Sequence, residues 1–214
     1  MALNAADIYI GNPNLKKANT QIEFTEEQII EFLKCKEDPV YFARNYVQIV
    51  SLDEGLVPFQ PYDFQEKLIN NFHEERFNIC KMPRQTGKST TVVAYLLHYA
   101  VFNDSVNIGI LANKAATARE LLGRLQTAYE NLPKWMQQGI ISWNKGSLEL
   151  ENGSKILAAS TSASAVRGMS FNILFLERKN DWIKTLFPSN QKTKEKRNPS
   201  SHSENISWIP IKKF

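Results

Sequence analysis

Met82-Pro83-Arg84-Gln85-Thr86-Gly87-Lys88-Ser89-Thr90 reads MPRQTGKST, between an apolar run at Phe77 to Cys80 and another at Val92 to Val101. The order predicts strand, tight loop, helix, and Gly87-Lys88-Ser89 has the form of the end of a phosphate-binding loop. A glycine at 87 lets backbone approach a phosphate closely. The first N–H groups of the following helix point at an anion, where the helix dipole favours negative charge. Lys88 is then placed for the β and γ phosphates, and the Ser89 hydroxyl for Mg²⁺. The usual pattern opens with glycine six residues before the lysine, and here that position is Met82. The plainer alternative is a helix N-terminus with a serine near its cap and a solvated lysine.

Downstream, Asn103-Asp104 marks a turn, and Val106 to Ala112 predicts a second buried strand. A helix opens at Asn113-Lys114, with Leu121, Leu122, Leu125 and Tyr129 at helical spacing, and Pro133 ends it. Two short apolar runs, 147–150 and 155–158, flank Asn152-Gly153, a hairpin signal. Asn172 to Leu176 predicts a third buried strand. Strands alternating with helices argue for a mostly parallel sheet with helices on both faces. Trp135 and Trp143 are expected to pack against it.

Upstream, residues 1–24 look irregular, with a turn at 11–14, GNPN. Thr25 and Gln28 have the spacing of a capping box, opening a helix whose apolar face carries Ile29, Ile30, Phe32 and Leu33. Pro39 interrupts, a short helix runs from Val40 to Val50, and 51–60 is a loop. Tyr41, Phe42 and Tyr46 are expected in the core. Pro61-Tyr62-Asp63-Phe64-Gln65 opens a helix to about His73. A glutamine shortly before such a strand suggests an adenine reader, because one carboxamide both donates and accepts. A helix-surface glutamine is the competing reading. His73 and His98 receive no chemistry.

At 214 residues the chain can bury a full core. No apolar run approaches the roughly 20 residues of a membrane helix, and the N-terminus lacks the pattern of a signal peptide. Cys35 and Cys80 are expected as buried free thiols in a reducing compartment. The net charge of +4 is uneven: residues 1–176 carry 17 Lys/Arg and 18 Asp/Glu, and residues 177–214 carry 9 and 4.

In nucleoside triphosphatases of this kind, an apolar strand such as Ile173 to Leu176 ends in acidic residues that hold magnesium and polarise water. Here it ends Glu177-Arg178-Lys179. Glu177 is a longer substitute for the first acid. Arg178 cannot serve as a base, since its guanidinium stays protonated. Residues 179–207 are rich in Lys, Asn, Ser, Thr and Pro and predict loop or disorder, leaving a sheet edge with nothing to pair it.

Residues 1 to about 176 resemble the N-terminal ATPase region of the large terminase subunit of T-even-like tailed phages. The stretches that carry the resemblance are PYDFQ (61–65), RQTGKSTTVVAYLLHY (84–99), NIGILANKAATARELL (107–122), LPKWMQQGIISWNKGSLELENGSKI (132–156) and SASAVRGMSFNILFL (162–176), in family order. The family's phosphate loop has an early arginine and no leading glycine, which accounts for Met82. The resemblance implies a three-layer α/β P-loop NTPase fold with a mostly parallel sheet. It implies that Gln65 reads adenine and that Arg84 is an arginine sensor or finger supplied in cis. Nucleotide binding falls to Gln65, Arg84, Gln85, Thr86, Gly87, Lys88, Ser89 and Thr90, and Mg²⁺ to Ser89 and Glu177. Arg167, in a VRG turn, is a candidate for nucleotide or DNA coupling, with a structural ion pair as the equal alternative. Implied cofactors are ATP and Mg²⁺. Implied partners are double-stranded DNA, the portal protein and the small terminase subunit, in a homo-oligomeric ring, with no membrane. The implied location is the host cytoplasm during phage assembly.

The family pattern continues FLDE where this chain has FLER, and the likeness ends there. Neither the family's coupling motif nor its C-terminal nuclease domain is matched. The simplest explanation is a reading-frame change near codon 177. The expected organisation is an N-terminal helical segment at 1–60, a truncated ATPase core at 61–176, incomplete at its C-terminal side, and an unrelated basic, disordered tail at 177–214. Such a chain is expected to bind ATP without turning it over. Two alternatives are a non-catalytic partner of a full-length packaging motor and a helicase-like P-loop ATPase of another lineage.

Overall fold

The computed structural model describes residues 7–51, 53–161 and 168–177 and the backbone of 207–213. Its centre is a seven-stranded sheet in the order β5-β11-β10-β6-β9-β8-β7. These strands are β5 (Phe77–Met82), β6 (Asn107–Ala112), β7 (Ile140–Trp143), β8 (Ser147–Leu150), β9 (Lys155–Ser160), β10 (Ile173–Glu177) and β11 (Ser207–Lys213). The pairings β10–β6 and β6–β9 are parallel. The other four are antiparallel. The sheet is therefore mixed, not mostly parallel as the alternation of strands and helices led one to expect: β5, β10, β6, β9 and β7 share one direction, while β11 and β8 oppose it.

The expectation of an irregular tail does not hold for Ser207–Lys213. This segment lies antiparallel between β5 and β10, with Ile211 opposite both Asn78 and Phe175. Pro210, which cannot donate to a ladder and argues against a central strand, hid it from a sequence reading. The physical reason for the insertion is the unpaired N–H and C=O groups that β5 and β10 would otherwise present to one another across the gap.

Two corrections fall near the N-terminus. Asn12 to Asn14 belong to a strand, not a turn: β1 (Ile8–Tyr9) and β2 (Asn12–Lys16) pair antiparallel. The turn sits earlier, at Ile10 (φ 46°) and Gly11 (φ 75°), both in the left-handed region that hairpin turns use. Likewise 51–60 is not all loop. Gln48–Ser51 (β3) pairs with Gly55–Pro58 (β4), closing at Gly55 with φ 75°.

The capping box opens α1 (Glu26–Glu37) as expected, with Gln28 N donating to Thr25 Oγ1 and Thr25 N donating to Gln28 Oε1. Its buried face differs from the one anticipated. Phe32 and Cys35 turn inward, Phe32 against Phe102 at 4.8 Å, while Ile29, Ile30 and Leu33 stay about half exposed. Pro39 is the first residue of α2 (Pro39–Tyr46), whose N–H groups at Val40 and Tyr41 donate to Asp38. Phe42 is fully buried, and Tyr41 and Tyr46 donate through their hydroxyls to Glu31 Oε1. Trp135 and Trp143 pack on Tyr46 and Tyr129.

The remaining helices are α3 (Asp63–Glu74), α4 (Lys88–Phe102) and α5 (Ala115–Glu130). α4 is buried around nearly its whole circumference, the pattern of a central helix, and lies against α2, α3 and α5. Cys35 and Cys80 are buried free thiols, as expected. Burial pushes them up to about 12 and about 11. Among the described residues, no helix is long and apolar enough to cross a membrane.

Candidate functional site

The loop from Pro83 to Gly87 connects β5 to α4. Gln85 (φ 62°) and Gly87 (φ 71°) are both left-handed and fold the chain back sharply before the helix begins. Such turns orient successive backbone N–H groups toward an anion. Lys88, Ser89 and Thr90 form the first turn of α4, whose opening N–H groups have no intrahelical acceptor. Thr91 closes that turn, donating through both N and Oγ1 to Gly87 O, at 2.9 and 3.1 Å.

Lys88 is buried, and its Nζ donates to Pro83 O at 3.3 Å. Thr86 Oγ1 donates to the same carbonyl at 3.0 Å. Burial pulls the Lys88 ammonium below its ordinary range; Glu177 opposes this and Arg84 adds to it. Arg84 and Gln85 are exposed on the loop, and Ser89 and Thr90 are half-buried.

Glu177 ends β10, beside Ala112 at the end of β6. Its Oε2 is buried with no hydrogen-bond partner. Burial raises its carboxyl above the usual range, Lys88 lowers it, Glu120 raises it and Arg124 lowers it. A hard divalent cation takes oxygen ligands, and an unpartnered carboxylate oxygen close to a buried ammonium suits such an ion or its waters. Of the two donors expected for Mg²⁺, Glu177 carries such an oxygen, and Ser89 stands half-buried in the first turn of α4. Among the described residues no group of three or more His, Cys, Asp or Glu side chains could hold a metal by itself.

Gln65, in the first turn of α3, is 3% exposed. Its Oε1 accepts from Tyr62 N at 2.9 Å and its Nε2 donates to Thr86 O at 3.2 Å. It is thus joined to the loop itself, a contact that spacing in the sequence does not reveal. Glu120 and Arg124, paired at 2.6 Å on α5, are the other participants that sequence reasoning missed. Their i, i+4 spacing was the available signal, but it marks countless exposed helix faces. Arg167 and Arg178 lie outside the described residues.

Fold and site together define a mixed-sheet α/β protein with a glycine-bearing loop, a buried lysine and an acidic strand end on one side of the sheet. Residues 79–178 match the family described as terminase large subunit, T4likevirus-type, N-terminal. That segment is similar to the N-terminal region of such large subunits. The crystal structure of the HK97 bacteriophage large terminase shares the fold, with a TM-score of 0.54 and 19% sequence identity. The match covers 66% of this chain and 30% of that one, so this chain corresponds to under a third of the HK97 protein.

Proposed function

We propose that the unit at 61–176, with Glu177, is the nucleotide-binding part of a phage DNA-packaging motor and that it binds ATP with Mg²⁺ at the 83–90 loop. The observation that supports this most directly is a buried Lys88 within electrostatic reach of Glu177, whose Oε2 has no partner, beside a left-handed glycine loop. Bound nucleotide brings a phosphoanhydride and its metal. Lys88 would exchange Pro83 O for phosphate oxygen, a charge-assisted bond stronger than the neutral one it leaves. Ser89 and Glu177 would hold the metal side. Arg84, exposed on the loop, would neutralise charge on the terminal phosphate. Gln65 belongs to the same site through its bond to Thr86 O. DNA, a portal protein and a small subunit are the partners that the likeness to large terminase subunits suggests in general.

The proposed activity is binding without turnover, because the residue after Glu177 is Arg178, which cannot activate water. Titration of the purified 214-residue chain with Mg·ATP tests binding. Lys88→Ala should weaken it about 100-fold, the loss of a charge-assisted contact worth about 3 kcal/mol. Steady ATP hydrolysis that Lys88→Ala abolishes would refute binding without turnover. Undetectable binding by a folded chain would refute the nucleotide site itself.

A further inference from the structure

We propose that Gln65 is a positioning residue for the phosphate loop, acting on the triphosphate through the Thr86–Gly87 peptide whatever base the nucleotide carries. This rests on the nucleotide reading above and departs from the expected adenine reader in what Gln65 does.

The carboxamide is nearly sealed from solvent and bridges two backbones. Oε1 accepts from Tyr62 N–H at the start of α3, and Nε2 donates to Thr86 O at the end of the loop. Its orientation is settled by chemistry. A flipped amide would set donor against the Tyr62 N–H and acceptor against the Thr86 carbonyl. Every described peptide bond is trans. In a trans peptide the C=O and N–H point to opposite sides of the same plane. Holding Thr86 O toward Gln65 therefore directs Gly87 N–H away from Gln65, leaving that donor for an anion at the mouth of the helix.

Gly87 shows how closely the two are fitted. A Cβ there would stand 2.4 Å from Gln65 Nε2, inside contact distance, and φ is 71° besides. The glycine thus serves the approach of a side chain as well as the approach of a ligand. Gln65 ties α3 to the loop at the point where the loop becomes α4, so a shift of either helix would reorient the peptide that donates to phosphate.

The experiment compares Mg²⁺ complexes of ATP, GTP and inorganic tripolyphosphate on the full chain and on Gln65→Glu and Gln65→Met. The glutamate keeps an acceptor for Tyr62 N–H and loses the donor to Thr86 O. The methionine removes both without adding charge. Both variants should weaken all three ligands by a similar factor, about 5- to 10-fold, with the ATP-to-GTP ratio nearly unchanged and the chain still folded at the assay temperature. A loss confined to ATP would overturn the proposal and leave Gln65 as an adenine reader alone. Unchanged affinity for tripolyphosphate would overturn it as well. So would the failure of both variants to fold, since a loop bracket predicts a local loss in a stable chain. A folded parent chain that binds none of the three ligands instead sinks the nucleotide reading, and this proposal with it.

Discussion

The two ends of α4 are finished in opposite ways. At its C-terminus the carbonyls are taken up by the hairpin turn between β8 and β9. Asn152 Nδ2 donates to Ala100 O and Asn103 O, both at 3.0 Å, and Ser154 Oγ donates to Asn103 O at 2.8 Å. Gly153 (φ 79°) packs its backbone on Ser105. At the N-terminus Gly87 caps without a side chain, and the buried ammonium of Lys88 has one neutral carbonyl. Near it the Glu177 Oε2 has no partner. One end is satisfied by its own chain; the other leaves polar groups short of partners, which is the condition of a surface built to receive something. A fixed C-terminus also means that displacement at the loop is felt at the loop, since the far end of the helix is anchored.

The sharpest test of this contrast is a crossed pair of substitutions. Lys88→Ala should remove nucleotide affinity and leave stability within about 1 kcal/mol, because the buried ammonium it deletes is poorly partnered. Asn152→Ala should do the reverse, costing about 2 kcal/mol in urea unfolding as two carbonyls lose their donor, with affinity unchanged. Equal effects of both on affinity would abolish the distinction.

His98, midway along α4, probes the closed part. It is 1% exposed, its Nε2 lies 2.8 Å from Cys35 O, and burial pushes its imidazole down to about 4 from 6.5. The unfolded chain therefore binds the extra proton first. Stability should be full above pH 6.5 and fall progressively as pH drops toward 4, by no more than about 3 kcal/mol. Unfolding curves across that window check this, and His98→Leu should flatten the slope.

Glu177 tests the open end with the opposite sign. Its carboxyl is raised in the folded state, so the charged form costs stability as pH rises through its folded value. Glu177→Gln should raise the unfolding midpoint at pH 7 by under about 1 kcal/mol and weaken the Mg²⁺-dependent part of ATP binding. A lower midpoint would mean that the charge is already satisfied. The smallest effect is expected at Arg124, more than half exposed in its pair with Glu120: Arg124→Ala should shift stability by under about 0.5 kcal/mol.

Local rules carried much of the fold. Thr25 and Gln28 cap a helix because three-residue spacing alone brings their groups together. Asn152-Gly153 turns a hairpin because glycine accepts positive φ there. The strand–loop–helix at 77–102 was legible for the same reason, and with it the position of Lys88 and Ser89. Other features depended on what lies opposite. Ile29, Ile30 and Leu33 have helical spacing, but Phe32 packs on Phe102 and Cys35 is fully buried, and only packing chooses between adjacent stripes. Ile10 in a left-handed turn and Pro210 in a central strand each contradict residue preference, held there by the strands around them.

By itself, then, the sequence determined the segments that need only near neighbours: the caps, the hairpin at 147–160, the buried strands and the glycine loop with its lysine. Tertiary structure alone decided the mixed sheet order, the face that α1 buries, the orphaned Glu177 oxygen and the attachment of Gln65 to Thr86. Those joins span 21 residues for Gln65 to Thr86 and far more for β5 to β11. Their energies come from groups that meet only after the chain has closed on itself, and no short-range pattern records them.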